Sequence, residues 1–202
     1  MHRSRFWQNS WAWWLVSLSL ASCSGLPRIV ILHDPLTPEE HVALATRYEA
    51  QGLTKQAAEE YQAALGKLPD DVTALVGLGN VAYQRGEMKV AEGYYRKALK
   101  HDPDQPAANN NLASVYLSLG KNLDDAERLT RRALMQQSPN KAYFWETLAG
   151  IHFRQGRLAE AQADLIVADS MAPVENRELR EKIIQTNKQI ADALEKNLYP
   201  NR

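Results

Sequence analysis

Cysteine is nearly missing from this chain, with Cys23 the only one in 202 residues. A single thiol excludes an intramolecular disulfide and leaves no partners for a cysteine-based metal cluster. An excess of one charge is missing too. The 24 Lys and Arg balance 24 Asp and Glu, so there is no strong positive field of the kind that displaces counterions from nucleic acid. The familiar signatures of catalysis are also missing. The five histidines (His2, His33, His41, His101 and His152) are scattered without His-Glu-x-x-His spacing, and no G-x-S-x-G elbow or G-x-x-x-x-G-K phosphate loop occurs. Gly77 and Gly79 form a Gly-x-Gly, but their register puts them in mid-helix, where the expected role is packing. These absences predict no enzyme, no metal or other cofactor, no small-molecule substrate and no nucleic-acid partner.

What is present is a globular composition, 45% hydrophobic and 24% charged, enough to build a core. The first residues read separately. Arg3 and Arg5 precede a ten-residue uncharged, mostly apolar run, Trp11 to Leu20, and Ala21-Ser22-Cys23 follow at once, which is the layout of a secretory signal. Ten helical residues span about 15 Å, roughly half of a bilayer's hydrocarbon thickness, so a spanning helix is the weaker reading.

Leu20-Ala21-Ser22-Cys23 resembles the lipobox of bacterial lipoproteins. The resemblance implies that 1–22 are removed and that Cys23 is acylated and becomes the new N-terminus; the alternative is an incidental cysteine in a plain signal or an uncleaved anchor. Ser24 after the cysteine then implies passage to the outer membrane of the bacterial cell envelope. More than one acyl chain is needed for lasting attachment, at about 0.8 kcal/mol per buried methylene. Removal of 1–22 leaves a slightly acidic chain, because Arg3 and Arg5 go with it. Residues 23–37 form the tether: Pro27 and Pro35 discourage helix on both sides of Ile29 to Leu32, and that apolar run either stays extended or lies along the first helix pair.

Beyond the tether the chain repeats itself. Gly52, Gly86, Gly120 and Gly156 are spaced by 34, 34 and 36 residues. Eight residues before each stands a leucine (44, 78, 112, 148), followed by a small residue, Ala45, Gly79, Ala113 or Ala149. After each glycine comes an alanine (57, 91, 126, 161), another seven residues later (64, 98, 133, 168), and then a proline (69, 103, 139, 173). A glycine ending the first helix takes the left-handed conformation without steric cost. Small residues let helices approach closely, Tyr61, Tyr95 and Leu165 supply bulk between the paired alanines, and proline prevents continuation of the second helix.

On these residues the chain resembles the tetratricopeptide repeat family, a helix-turn-helix unit of about 34 residues. The resemblance implies an all-α, right-handed α-solenoid of four units, 38–71, 72–105, 106–141 and 142–175, each stabilised by stacking on its neighbours. The third unit departs from the pattern. It carries one extra residue between Gly120 and Ala126, another between Ala133 and Pro139, and Thr130 at a position expected to be large, so a longer turn around Lys121 to Asp124 and looser packing are expected there. His41 departs likewise, standing where the second unit has Leu75. Residues 176–202 lack the leucine-small pair and the closing glycine. Their apolar stripe of Leu179, Ile183, Ile190 and Leu194 suits a C-terminal capping helix, or else a helix that binds a partner or a second copy of the chain.

The family's ligands usually lie in the concave groove lined by the first helices. By register the resemblance places Thr73, Val76, Asn80 and Tyr83 there from the second unit, Asn110, Ser114 and Leu117 from the third, and Tyr143, Glu146, Phe153 and Arg154 from the fourth. Aromatic anchors among amide and hydroxyl groups suit a peptide or helix; packing against neighbouring first helices or the cap is the competing role for each residue. Asn80 matches one position of the family's carboxylate clamp, but Val76 replaces its lysine, which argues against that ligand. The expected function is therefore a lipid-anchored protein-binding scaffold serving an envelope assembly such as a pilus, secretion, polysaccharide-export or cell-wall machine. The alternative is an accessory subunit of a separately encoded periplasmic hydrolase or peptidase.

Overall fold

Each first helix ends where its glycine sits, for a reason visible in the backbone. Gly52, Gly86, Gly120 and Gly156 have φ of 73°, 75°, 61° and 77°, the left-handed region that costs an L side chain most. That turn lets the next N–H reach back five residues: Leu53 donates to the Tyr48 carbonyl, Glu87 to Ala82, Lys121 to Tyr116 and Arg157 to His152, at 2.9–3.1 Å. The last carbonyls of four helices are thereby satisfied.

The computed structural model describes residues 34–198. Nine α-helices and no strands are found among them: α1 (Pro38–Ala50), α2 (Thr54–Lys67), α3 (Val72–Gln84), α4 (Met88–His101), α5 (Pro106–Leu119), α6 (Leu123–Met135), α7 (Lys141–Arg154), α8 (Leu158–Met171) and α9 (Arg177–Leu198). All belong to one unit that begins at Leu36. The secretory segment, Cys23 and most of the tether lie outside the described residues.

Starts are set by local chemistry. Thr37 closes a capping box on α1, its hydroxyl accepting from the Glu40 N–H while the Glu40 carboxylate accepts from the Thr37 N–H, with Pro38 opening the helix. Asp71 and Gln105 cap α3 and α5 in the same sense, accepting from the Ala74 and Ala108 N–H groups. Helices α2, α4, α6 and α8 end shortly before Pro69, Pro103, Pro139 and Pro173.

Each helix packs on the next, and first helices of successive hairpins also touch, α1 on α3, α3 on α5 and α5 on α7. This is an all-α solenoid. Its core is built where the small residues fall: Ala45, Ala57, Ala64, Ala91, Ala98, Ala113, Ala126, Ala133, Ala149, Ala161 and Ala168 all have zero exposure. Two glycines extend the principle. A Cβ on Gly77 would lie 2.2 Å from the Tyr61 ring, and one on Gly79 2.4 Å from the Tyr95 ring, so the Gly-x-Gly is a pair of slots for tyrosines of the second helices.

The third hairpin differs from expectation. Its turn, 120–122, is three residues long like the others; the extra residue is absorbed by starting the turn on Gly120 and putting Asn122 in the left-handed region as well (φ 52°). Asparagine tolerates that region better than most residues. Nor is packing loose at Thr130, which is fully buried with its hydroxyl donating to the Ala126 carbonyl at 2.9 Å. In the first hairpin His41 is buried and its Nδ1 lies 2.7 Å from Glu60 Oε2, so a polar pair replaces the leucine of the second unit. Helix α9 buries Leu179, Ile183 and Ile190 against α7 and α8 and exposes mainly polar residues. None of the described helices is long and apolar enough to cross a membrane.

Candidate functional site

First helices α3, α5 and α7, the end of α1 and the start of α9 surround a groove with a cavity of about 690 Å³. Seven of the sequence-predicted residues line it together: Asn80, Tyr83, Asn110, Ser114, Leu117, Tyr143 and Glu146. Four do not. Val76 is buried in the core with Leu75 and Leu112, because this stretch of α3 is covered on every side from Ala74 to Gly79. Thr73 is exposed in the first turn of α3, away from the cavity lining. Phe153 packs into the cluster that α9 completes, and Arg154 is exposed with its guanidinium over Gly120.

The floor of the groove is a chain of hydrogen bonds crossing three hairpins. Tyr61 Oη donates to Glu49 Oε2 at 2.8 Å, and Asn80 Nδ2 donates to Glu49 Oε1 at 3.3 Å. Asn80 Oδ1 in turn accepts from Tyr95 Oη at 3.0 Å and from Asn111 Nδ2 at 2.8 Å. Both tyrosines belong to second helices and reach the floor through the slots left by Gly77 and Gly79. Burial raises both phenols, Tyr61 to about 12, so they stay protonated donors at neutral pH. Fixed hydrogen bonds of this kind hold the amide and carboxylate groups in one geometry.

At the other end α9 closes the groove. Asn176 donates to Tyr143 Oη at 2.7 Å, Thr186 donates to Glu146 Oε1 at 3.4 Å, and Lys182 pairs with Glu178 at 3.2 Å. Burial raises the Glu146 carboxyl above its ordinary range, partly offset by Lys182 and Thr186. On the rim Tyr83 and Ser118 share a 3.0 Å hydrogen bond across adjacent hairpins.

Register reasoning missed Glu49, Tyr95, Asn111, Glu178 and Lys182. Tyr95 had a readable signal, a glycine in the first helix facing a tyrosine in the second. Glu178 and Lys182 had none, because α9 is outside the repeat. Histidine chemistry does not enter the groove: His152 is buried between hairpins, its Nδ1 2.6 Å from Asp164 and its Nε2 3.4 Å from Glu127. No grouping of three or more His, Cys, Asp or Glu suited to a metal occurs among the described residues.

A stack of helical hairpins around one polar groove defines the class: an all-α repeat solenoid with a ligand-sized concavity. The chain belongs to the tetratricopeptide repeat family, whose models match residues 42–106 and 82–144, together about half of it. One relative, the cellulose synthase operon protein C of Pseudomonas fluorescens, is 34% identical over 100 residues, covering 50% of this chain and 8% of the relative. The chain thus spans a small part of that protein's length. Among solved structures, a thermophilic tetratricopeptide repeat protein of Thermus thermophilus aligns with a TM-score of 0.61 at 22% identity, covering 76% of this chain and 82% of that one. Pseudomonas aeruginosa pilF aligns at 0.59 and 21% identity, covering 84% and 79%. Identities this low speak for the fold alone.

Proposed function

We propose that this chain is a lipid-anchored, non-catalytic scaffold of the bacterial cell envelope, holding a peptide or helix of a protein partner in its groove. The observation that carries the binding role is the groove itself: preset amides and carboxylates on the floor, with Tyr83, Leu117 and Tyr143 at its sides. Such a surface offers apolar anchors for affinity and fixed polar groups for register along a backbone. The hydrogen bonds among Glu49, Tyr61, Asn80, Tyr95 and Asn111 fix the floor before binding, which lowers the entropy cost of capture.

The anchor rests on the sequence around Cys23, with acyl chains supplying membrane attachment. Service to an envelope machine is supported by a relative named for the cellulose synthase operon. The test pairs two variants of the full chain. C23S is expected to abolish labelling by a fatty-acid analogue and release the protein from membranes; persistent labelling removes the anchor. Tyr83→Ala with Leu117→Ala is expected to reduce co-purification of the partner by about tenfold or more, as loss of two interface anchors does, with helicity unchanged. Undiminished co-purification moves the docking surface off the groove.

A further inference from the structure

We infer that the occupant of this groove is an extended, positively charged peptide segment, with one Lys or Arg side chain directed at Glu49 and another at Glu146. The inference rests on the groove being the docking surface and adds the chemical class of the partner.

The charge of the lining is one-sided. Three carboxylates, Glu49, Glu146 and Glu178, face the cavity against one cation, Lys182. That lysine lies 3.2 Å from Glu178. Glu49 has neutral donors, Tyr61 and Asn80, and the hydrogen bond found at Glu146 is the long one from Thr186. Among the described residues no cation hydrogen-bonds to Glu49 or Glu146, so a basic side chain entering the groove would meet an unneutralised carboxylate at each. Burial raises the Glu146 carboxyl, and Lys182 and Thr186 offset that only in part.

One lining residue also lacks a partner. Tyr61 and Asn80 are engaged on Glu49, and Tyr95 and Asn111 on Asn80, but Asn110, only 5% exposed, has a side-chain oxygen that accepts no hydrogen bond among the described residues. Buried amides are normally satisfied, so this one suits a peptide backbone as the occupant, whatever its charge. The charge preference comes from the carboxylates: an acidic peptide would bring like charge to Glu49 and Glu146.

Selection from a phage-displayed library of random dodecapeptides on the full-length chain in detergent tests this. The retained pool is expected to be enriched in Lys and Arg by roughly twofold or more over the input, to weaken as salt is raised, and to lose about tenfold in retention on the isosteric Glu49→Gln, Glu146→Gln double variant. The double variant keeps the shape of the groove, and unchanged circular dichroism checks that it folds. A pool rich in Asp and Glu, or without charge bias, whose retention is still lost on Tyr83→Ala with Leu117→Ala, overturns the cationic occupant while leaving the groove in place. Retention indifferent to both sets of variants, or no retained pool, counts against the groove itself.

Discussion

Gly77 and Gly79 show how a single residue type links packing to function. Both sit inside α3, where glycine is unfavourable by roughly 0.5–1 kcal/mol relative to alanine, yet each leaves the space through which a tyrosine reaches the groove floor. Gly77→Ala or Gly79→Ala is therefore expected to destabilise the chain by roughly 1–3 kcal/mol through overpacking against Tyr61 or Tyr95, read as a shift in urea midpoint. Gly93 lies inside α4 with open space around its Cβ position, and Gly93→Ala is expected to stabilise by roughly 0.5–1 kcal/mol. The same sign at both sites would contradict the slot reading. The small residues and closing glycines are legible in the sequence because each recurs at one register position. Val76 is not, since its burial comes from how completely neighbouring helices surround α3, which periodicity within one helix does not report.

Among elements, α6, α7 and α8 are joined by a charged staple. Glu127 on α6 pairs with Arg131 at 2.8 Å and Arg157 at 2.6 Å, and faces His152 Nε2 at 3.4 Å, while His152 Nδ1 meets Asp164 on α8. Burial acts to raise the Glu127 carboxyl, but the hydrogen bonds from Arg131 and Arg157, with His152 close by, outweigh it and hold it at about 2, below its ordinary 4.5. A carboxyl lowered in the folded state contributes stability that is complete above its unfolded value and is lost as pH falls from about 4.5 toward 2. Glu127→Gln is expected to cost about 1 kcal/mol at pH 7 and progressively less below pH about 4, followed by unfolding at several pH values; a pH-independent cost would place the effect in packing. The C-terminal helix yields a second test. Leu179→Ala removes a side chain with zero exposure and is expected to cost roughly 2–4 kcal/mol, read by thermal unfolding. Its apolar stripe was legible, and so was packing against the cap as the competing role of Phe153, but that α9 would supply Glu178 and Lys182 to the groove was not, because a helix outside the repeat has no sister copy to fix its register. The third turn departs from expectation for a related reason: an inserted residue reads as a longer loop, whereas Asn122 absorbs it in the left-handed region.

For the whole molecule, repetition does the informing. Four copies of one pattern determine that hairpins stack, and stacking determines that first helices line one face; seven of eleven register-placed residues accordingly meet in one groove. What repetition does not carry is the non-periodic part, including the charge balance of the groove and the identity of the partner. Everything proposed for the molecule depends on a protein partner docking in this groove. A photo-crosslinking amino acid at Ser114, in the groove wall, and another at Arg128, exposed on α6 outside the groove lining, tests that docking in cells producing the full chain. A discrete crosslinked partner is expected from Ser114 and not from Arg128. Crosslinks from Arg128 alone, with Ser114 silent, would contradict it.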